Sequence, residues 1–561
     1  MSNRQPYDFI IVGGGSAGCV LAGRLAEDPN LRVLLLEQGP RNTGWTVRIP
    51  GATGENYKPG SCYMGWYQTV PQRHLRGRVI DEPFGVGLGG SSLVNGMVFL
   101  RGNPLDYERW VSEGAAGWSF SNVLPYFKRL EARAEGADAY RGGEGPVGVR
   151  RSEVLGALDL AFLAAGRQAG YPFTADVNGF QQEGFCRFDM NVDHGLRASS
   201  SFAFIEKPGP KSNLEVCTGA ACSRILIENT TAVGVEYVLN GHHNVVRCER
   251  EIVLCAGGLG SPRILMLSGV GHADELKQIG IRPVHDLPGV GKNLHDHAEL
   301  DLQWECMQPI SLNKYLRPHH MALAGIRWAL FRSGVAASAH VSVGAFLRSR
   351  PDILHPNIQF HFVPVSLDGW KVRRGQYGYQ LSAGPVRQAS RGSIRLRSAN
   401  PGAAPLVDPN YLASEEDFQQ MRDSYALIQE IASQPAFDPY RGRPLEPKAM
   451  PTSRAEIDEL IRTQTSAGFH YAGTCKMGAN SDPMAVVDPD TRVRGLDRLR
   501  VVDASIMPSI VSSNPNAVVM MMAERASDII LGRPMLVADG VSFHSPSGPV
   551  KISGDGRATS P

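Results

Sequence analysis

The feature that most constrains the fold is an apolar strand that runs directly into a glycine-rich turn near the amino terminus. Residues 7–12 are followed by Gly13, Gly15 and Gly18 in the spacing G-x-G-x-x-G, and a helical pattern begins after them. The first glycine permits a tight turn, the second lets the backbone approach a pyrophosphate, and the third lets the helix pack on the strand. Glu37 ends the next apolar run, where a carboxylate can bind ribose hydroxyls. The pattern predicts a dinucleotide-binding unit with phosphates at the helix N-terminus.

Size and charge narrow the class of protein further. At 561 residues the chain exceeds what one hydrophobic core usually supports, so we expect two domains. The 57 Lys and Arg residues nearly balance the 55 Asp and Glu residues, which argues against nucleic acid as a partner. The nine cysteines are scattered without a C-x-x-C motif, so we expect reduced thiols. No apolar run is long enough to span a membrane, and a cytoplasmic location is predicted.

The middle of the chain changes pattern. Polar and apolar residues alternate in 358–362 and 393–397, as expected for an antiparallel sheet with one wet face. An amphipathic helix that opens at Ser414 is predicted to cover this sheet. A later strand at 499–503 and a helix at 517–531 return the chain to the nucleotide-binding domain.

Local signals predict three smaller features. Asn240-Gly241 between β-branched runs indicates a hairpin, which makes His242 and His243 turn residues. Ser261-Pro262 is typical of a helix start, with a hydroxyl N-cap and proline at the first helical position. The Ser-, Gly- and Pro-rich carboxyl end, 536–561, is predicted to be disordered.

Two longer motifs carry a family resemblance. Residues 85–95 (GVGLGGSSLVN) and 257–271 (GGLGSPRILMLSGVG) are similar to the two signatures of the glucose-methanol-choline oxidoreductases, FAD enzymes that oxidise alcohols. The resemblance extends over roughly residues 7–533 and is greatest to the choline dehydrogenase-like and aliphatic alcohol dehydrogenase-like bacterial branch.

The resemblance implies an α/β FAD-binding Rossmann-like domain and an α+β substrate domain with a mainly antiparallel sheet. We assign residues 1–155, 213–297 and 486–535 to the discontinuous FAD-binding domain, and residues 156–212 and 298–485 to the substrate-binding domain.

The resemblance also implies the residues that hold FAD. They are Gly13, Gly15, Ser16, Gly18, Glu37, Gly89, Gly90, Ser91, Asn95, Gly96, Cys222, Asp503, Ala504, Asn514, Pro515 and Asn516. Some relatives attach FAD through a histidine at the position of Val94, and valine cannot form that bond, so noncovalent FAD is predicted. His295-Asp296-His297 is interpreted as a structural loop near the cofactor, and no metal is predicted.

Alcohol oxidation needs a base for the hydroxyl proton and a hydride acceptor. Imidazole has a suitable pKa, and Phe469-His470 matches the family's catalytic motif, so His470 is the predicted base. Asn514 matches the partner residue of the family, and its amide can donate a hydrogen bond to the developing alkoxide. Read without the family, His470 is a packed core histidine and Asn514 a turn residue before Pro515.

Substrate and acceptor are predicted from departures within the family pattern. Ser342 is aligned with the glutamate that choline-active relatives place near the cation, so choline is disfavoured and medium-chain or aromatic alcohols are favoured. Gly468 replaces a bulkier residue of oxygen-using relatives, which favours a quinone-type acceptor over oxygen. A quinone acceptor would add a peripheral membrane contact. The sequence leaves the oligomeric state open.

The predicted reaction is therefore FAD-dependent oxidation of a primary alcohol, or a secondary one, to the carbonyl with hydride transfer to flavin N5. Three alternatives share this fold: an oxygen-using alcohol oxidase, a non-redox lyase of the hydroxynitrile lyase type, and a catalytically silent flavin-binding protein. The presence of both His470 and Asn514 argues against the silent protein.

Overall fold

The structure is a computed structural model, and it describes residues 6–152, 156–552 and 558–559. The helices are α1 (Ser16–Leu25), α2 (Trp45–Arg48), α3 (Pro104–Ser112), α4 (Phe120–Leu130), α5 (Ala157–Gln168), α6 (Gly257–Leu267), α7 (Ala273–Gln278), α8 (Pro318–Phe331), α9 (Glu415–Ala432), α10 (Arg454–Gln464) and α11 (Asn516–Leu531). Short 3-10 turns occupy Pro50–Tyr57, Arg73–Leu75, Gly90–Leu93, Leu312–Leu316, Val335–Ala337, Pro435–Phe437 and Ala504–Ile506, and a π-helical turn occupies Phe202–Glu206.

The strands, in chain order, are β1 (Tyr7–Val12), β2 (Val33–Glu37), β3 (Met64–Gln68), β4 (Asp81–Gly85), β5 (Glu131–Arg133), β6 (Val147–Arg151), β7 (Gly184–Arg187), β8 (Asp189–Met190), β9 (Val192–Asp193), β10 (Leu196–Arg197), β11 (Leu214–Thr218), β12 (Ala220–Glu228), β13 (Thr231–Leu239), β14 (His242–Leu254), β15 (Val270–Gly271), β16 (His285–Asp286), β17 (Lys292–Leu294), β18 (Ala298–Cys306), β19 (Val343–Leu347), β20 (Ile358–Val363), β21 (Leu367–Asp368), β22 (Lys371–Val372), β23 (Gly378–Pro385), β24 (Gly392–Arg395), β25 (Leu406–Asp408), β26 (Arg441–Glu446), β27 (Ser466–Ala467), β28 (Leu499–Val501), β29 (Ser542–Phe543), β30 (Val550–Ile552) and β31 (Ala558–Thr559).

The first sheet has the order β11–β2–β1–β14–β13–β12, and β28 pairs with β14. β1 runs parallel to both β2 and β14, with Ile10 opposite Leu34 on one side and Ile252 on the other. β1 is almost wholly buried, and α1 packs against β1, β2 and α11. Burial on both faces explains why these strands are continuous apolar runs rather than alternating ones. The predicted Rossmann-like unit is confirmed.

The second sheet has the order β26–β18–β23–β20–β19–β7, with β27 also paired to β18. Its pairings are antiparallel. On β20, Ile358, Phe360 and Phe362 are fully buried in a second core, while Gln359 and His361 point to the opposite face. α9 packs on β23, as predicted from its apolar stripe. The predicted strand at 393–397 is β24, which pairs with β17 and β25 in a separate sheet.

The hairpin prediction is confirmed, with one adjustment at its turn. Leu239 of β13 pairs with His242 of β14, so Asn240 and Gly241 form the turn. His242 and His243 are therefore the first two residues of β14 and remain exposed, rather than turn residues.

The predicted helix start at Ser261 is wrong, because α6 begins at Gly257 and encloses Pro262. A proline inside a helix leaves the carbonyl four residues earlier without its intrahelical donor. That carbonyl belongs to Gly258, and the Thr474 hydroxyl donates to it at 2.6 Å. A distant hydroxyl thus replaces the missing hydrogen bond.

The prediction of a disordered carboxyl end is wrong for the part that the structure describes. β29, β30 and β31 form a small sheet, and Phe543 is buried in the first core. The backbone amide of Asp539 donates to the Ser121 carbonyl at 2.9 Å, and that of His544 donates to the Phe180 carbonyl at 2.8 Å. One aromatic anchor and these bonds order a segment whose composition is polar. Residues 553–557 and 560–561 lie outside the described residues.

Candidate active site

The two glycine-rich loops of the sequence meet in the structure. The Gly89 amide donates to the Gly14 carbonyl at 2.6 Å. Gly90 has a φ of +53°, and a Cβ there would lie 2.6 Å from the Gly15 Cα. Only backbone therefore lies between the loops, which is the surface that a pyrophosphate needs. The arrangement fits FAD.

Glu37 holds these loops together. One carboxylate oxygen accepts from the Gly14 amide at 2.8 Å, and the other accepts from Gly39 at 2.8 Å and Gly87 at 3.1 Å. Burial raises the pKa of Glu37, and the three amides oppose that shift. A carboxylate has about four acceptor positions, so one remains for a ribose hydroxyl.

Three of the other predicted cofactor residues, Ser16, Asn516 and Asp503, lie at or contact helix N-termini. Ser16, at the start of α1, donates from its hydroxyl to the Asn516 amide oxygen at the start of α11, at 2.8 Å. Asp503 accepts from the Gly257 amide at 2.9 Å and the Ser261 hydroxyl at 2.5 Å, so it fixes the start of α6. The positive ends of α1 and α11 thus converge where an anionic cofactor would bind.

The remaining predicted cofactor residues occupy supporting positions. The Ser91 hydroxyl accepts from the Gly85 amide at 3.2 Å, and the Asn95 side chain accepts from Arg197 at 2.9 Å. Cys222 lies on β12, and burial raises the pKa of its thiol to about 12. Gly96, Ala504 and Pro515 are backbone positions within the same segments.

His470 and Asn514 are brought together, as the resemblance implies. The Asn514 amide nitrogen lies 3.1 Å from His470 Nε2. The Asn514 oxygen accepts from Gln359 Nε2 at 2.9 Å, and His361 Nε2 lies 3.2 Å from that oxygen and 2.9 Å from Gln359 Nε2. Because this oxygen is occupied by donors, the Asn514 amide N–H groups point at His470.

The neighbours of His470 also fix its tautomer. His297 Nε2 lies 3.2 Å from the Val386 carbonyl, which can only accept, so His297 carries its proton there and its Nδ1 is an acceptor. His470 Nδ1 lies 2.9 Å from that Nδ1 and is therefore the donor. This leaves the Nε2 lone pair of His470 facing Asn514, which is the state that a general base requires.

Electrostatics around the site separate the roles of its histidines. Burial holds the pKa of His470 well below its usual range, and the neighbouring imidazoles of His297 and His361 oppose its protonation further. Burial lowers the pKa of His361, but the Glu299 carboxylate, 3.3 Å from Nδ1, more than reverses this and raises it. His470 is thus neutral, whereas the Glu299 carboxylate favours the protonated form of His361.

Sequence reasoning missed Glu299 and Gln359 as members of the site. Both lie at strand positions that alternate with core residues, such as Leu300 on β18 and Phe360 on β20, so alternation was the available signal. His297, interpreted as structural, is in contact with the predicted base.

The assignment of the counter-charge position to Ser342 is wrong. The Ser342 hydroxyl lies 3.0 Å from the Ser152 hydroxyl and takes part in a serine cluster. The carboxylate of the site is Glu299, whose side chain keeps 21% exposure. The inference that the site lacks an anion, and with it the argument against choline, therefore fails.

The turn that carries His470 is strained and is held by a buried carboxylate. Phe469 has a φ of 63°, which is unfavourable for a residue with a side chain. Asp296 accepts from the backbone amides of His470 at 2.5 Å and Phe469 at 3.3 Å, and from the Tyr411 hydroxyl at 2.5 Å. Burial raises the pKa of Asp296 to about 7, and these donors oppose the shift. Asp296 is a positioning residue for the base.

Replacing Asp296 with asparagine should lower kcat by about tenfold to a hundredfold, because one backbone amide loses its acceptor and the base moves. KM should change little, and FAD should remain bound. Steady-state kinetics and flavin content measure both. Tyr411→Phe, which keeps both backbone contacts, is the control and should have a smaller effect. Equal losses of kcat and flavin would show a merely structural role.

A cluster of aromatic rings lies beside Phe469, the residue that precedes His470. Trp370 stacks on Tyr57 at 5.1 Å between ring centroids and contacts Trp66 at 5.5 Å and Phe469 at 5.3 Å. Trp66 and Trp370 are 38% and 40% exposed, so they form a rim. Such rims attract cations through the ring faces.

Comparison with known proteins identifies the family of the chain. Two family models, both described as GMC oxidoreductase, match residues 7–299 and 388–523. The chain is 46% identical over 552 residues to mitochondrial choline dehydrogenase of Homo sapiens, covering 97% of this chain and 93% of that protein. It is 45% identical over 535 residues to oxygen-dependent choline dehydrogenase of Photobacterium profundum, covering 94% of each.

Solved structures agree in fold. Pyridoxine 4-oxidase from Mesorbium loti superposes with a TM-score of 0.83 at 30% identity, over 93% of this chain and 98% of that one. A formate oxidase superposes with a TM-score of 0.88 at 24% identity, over 95% and 99%, which supports the fold alone. The chain therefore belongs to the GMC oxidoreductase family and is an FAD-dependent oxidoreductase that acts on a CH–OH donor.

Proposed function

We propose that the protein oxidises a primary alcohol that carries a quaternary ammonium group, with choline as the first candidate. The observation that carries this proposal is Glu299, a carboxylate beside the His470–Asn514 pair. Its Oε1 is paired with His361, while Oε2 has no hydrogen-bond partner within the described part of the chain and remains open to a ligand. The relatives named choline dehydrogenase, and the aromatic rim, support the same substrate class.

In the proposed reaction His470 Nε2 removes the hydroxyl proton, and the proton remains on the imidazole. Asn514 donates a hydrogen bond to the alkoxide oxygen as its charge develops. Bound FAD supplies the hydride acceptor. His297 keeps the second His470 nitrogen protonated, so that only Nε2 can act as the base. The N-terminus of α11 offers a positive helix end beside Asn514.

The cofactor is proposed to be held without a covalent bond, through the residues of the two glycine loops and the two helix N-termini. Val94 is 4% exposed and packs with Val47 and Tyr63, and its side chain has no atom that could bond to flavin. Acid precipitation should therefore release all the yellow colour into the supernatant. Flavin retained in the pellet would contradict this.

The acceptor is proposed to be of the quinone type, with oxygen as the competing acceptor. A quinone acceptor would place a cytoplasmic protein at the periphery of a membrane. The proposal rests on Gly468, which replaces a bulkier residue of oxygen-using relatives. A Cβ at this position would lie 2.9 Å from the His297 carbonyl and 3.2 Å from His470 Nδ1, so the glycine also gives the two histidines room to meet. Equal turnover with oxygen and with a soluble quinone would contradict the proposal.

The substrate proposal is tested by anaerobic reduction of the bound flavin with choline and with 3,3-dimethylbutan-1-ol. The second alcohol has the same shape but carries carbon in place of the charged nitrogen. Choline should give a kcat/KM that is larger by about tenfold or more, because burying its cation beside Glu299 is worth at least about 1.4 kcal/mol. Equal values would show that shape, not charge, is recognised.

A further inference from the structure

Helix α8 stands apart from both cores of the molecule. None of its 14 residues is buried. Its less exposed residues are His320, Ala324 and Trp328, which recur every four positions and so share one face, and the Trp328 indole donates to the Gly195 carbonyl at 2.7 Å. This contact face fixes which face points outward.

The outward face of α8 is apolar. Leu323, Ile326 and Leu330 are spaced as i, i+3 and i+7 and are 63%, 55% and 69% exposed. We call these three residues the apolar stripe. A contiguous patch of large apolar side chains on one helix marks a surface that binds something.

The charge around the apolar stripe identifies its partner. The sequence has no Asp or Glu between Glu305 and Asp352. The same stretch carries Lys314 and Arg317 before the helix, and Arg327 and Arg332 near its end. An apolar stripe flanked by cations is complementary to a bilayer with anionic headgroups, where the side chains insert and the cations meet phosphates.

The length of α8 determines how it can bind a bilayer. A helix of 14 residues is about 21 Å long, which is short of the roughly 30 Å hydrocarbon core. In the part of the chain that the structure describes, no helix is long and apolar enough to cross a membrane. The geometry is that of a helix lying in the interfacial plane.

We propose that α8 docks the protein on an anionic bilayer surface through its apolar stripe. The docking surface is linked to the active site by direct packing. Val335–Ala337, which follows α8, contacts Pro50–Tyr57, and Tyr57 stacks on Trp370 of the aromatic rim. This chain of contacts joins the segment that follows α8 to the aromatic rim beside Phe469.

The test uses flotation of the purified full-length holoprotein with vesicles of phosphatidylcholine, with or without phosphatidylglycerol. Wild type should bind vesicles that contain phosphatidylglycerol and should be released by high salt, because the cations are screened. The double variant Leu323→Asp, Leu330→Asp should lower the partition coefficient by about a hundredfold or more. Leu160→Asp, which alters a 53% exposed leucine on α5, is the matched control and should bind like wild type.

Turnover with a soluble acceptor checks that the double variant is folded. Vesicle binding is measured without turnover, so the docking proposal can be contradicted without contradicting the proposed substrate, and the reverse. Absence of wild-type binding, or equal binding by the double variant, overturns the proposal. A wild-type dimer that the double variant converts to a monomer, without vesicle binding, also overturns it and assigns the stripe to a second copy of the chain.

Discussion

Replacing His470 with alanine is expected to slow reduction of the bound flavin by about 100-fold to 10,000-fold, the range for loss of a general base. The reason is that Nε2 of this residue is the unprotonated nitrogen facing the Asn514 amide, at 3.1 Å. The lowered pKa of His470 keeps its imidazole unprotonated at neutral pH, and also at pH values where an ordinary imidazole is already protonated. Anaerobic stopped-flow mixing with choline, following the flavin absorbance, measures the rate.

Two comparisons make the His470 result specific. Added imidazole should restore part of the rate in His470→Ala, because the truncation leaves space beside His297 for the missing ring. Asn514→Ala should cost about 2 to 4 kcal/mol of transition-state stabilisation, since it removes one hydrogen-bond donor to the alkoxide. A wild-type rate in His470→Ala would transfer the role of base to His361, the other histidine that contacts Asn514.

The parts of the fold that sequence predicts well are those set by neighbouring residues. The strand, glycine turn and helix at 7–25 follow from local periodicity and from the backbone freedom of Gly13, and the β20 and α9 patterns follow from alternation and helical spacing. These signals depend on residues that are near in sequence, so they can be interpreted without information on tertiary contacts.

The predictions that failed depend on distant partners. Ser261-Pro262 satisfies the local rule for a helix start, yet Thr474 supplies the hydrogen bond that lets α6 begin earlier. The polar tail is ordered because Phe543 finds the first core. Neither composition nor local rules can show that Thr474 contacts α6 or that Phe543 packs in the first core.

The active site also contains residues that local motifs predict and residues that only tertiary contacts bring into place. His470 and Asn514 belong to recognisable motifs, but Glu299 reaches the site only because β18 and β20 flank β23 and turn the same face toward the cofactor domain. The periodicity of β18 shows that Glu299 lies opposite the core, without showing what it faces. The resemblance matches Ser342 to the glutamate of choline-active relatives and so predicts that the counter-charge is lost, whereas Ser342 contacts Ser152 and Glu299 supplies a carboxylate beside His361.

The second large effect is expected from Glu299→Gln. This change keeps the size of the side chain and removes its charge, so it should lower kcat/KM for choline by about 30-fold to 1,000-fold, or about 2 to 4 kcal/mol, as for loss of one partner of a buried charge pair. The value for 3,3-dimethylbutan-1-ol should stay within about threefold of wild type, because that alcohol has no charge to lose. Steady-state assays with a soluble acceptor measure both.

A matched control comes from the other end of the same strand. Glu305 also lies on β18 but pairs with Arg443 at 3.1 Å, on the surface, so Glu305→Gln should leave both alcohols unaffected. The variant also tests the link between Glu299 and His361. Without the carboxylate, burial should lower the pKa of His361, so the protonated form of His361 beside Asn514 becomes less favoured. If the loss were caused by this change alone, choline and its neutral analogue would decline together; a loss confined to choline identifies Glu299 as the group that recognises the cation.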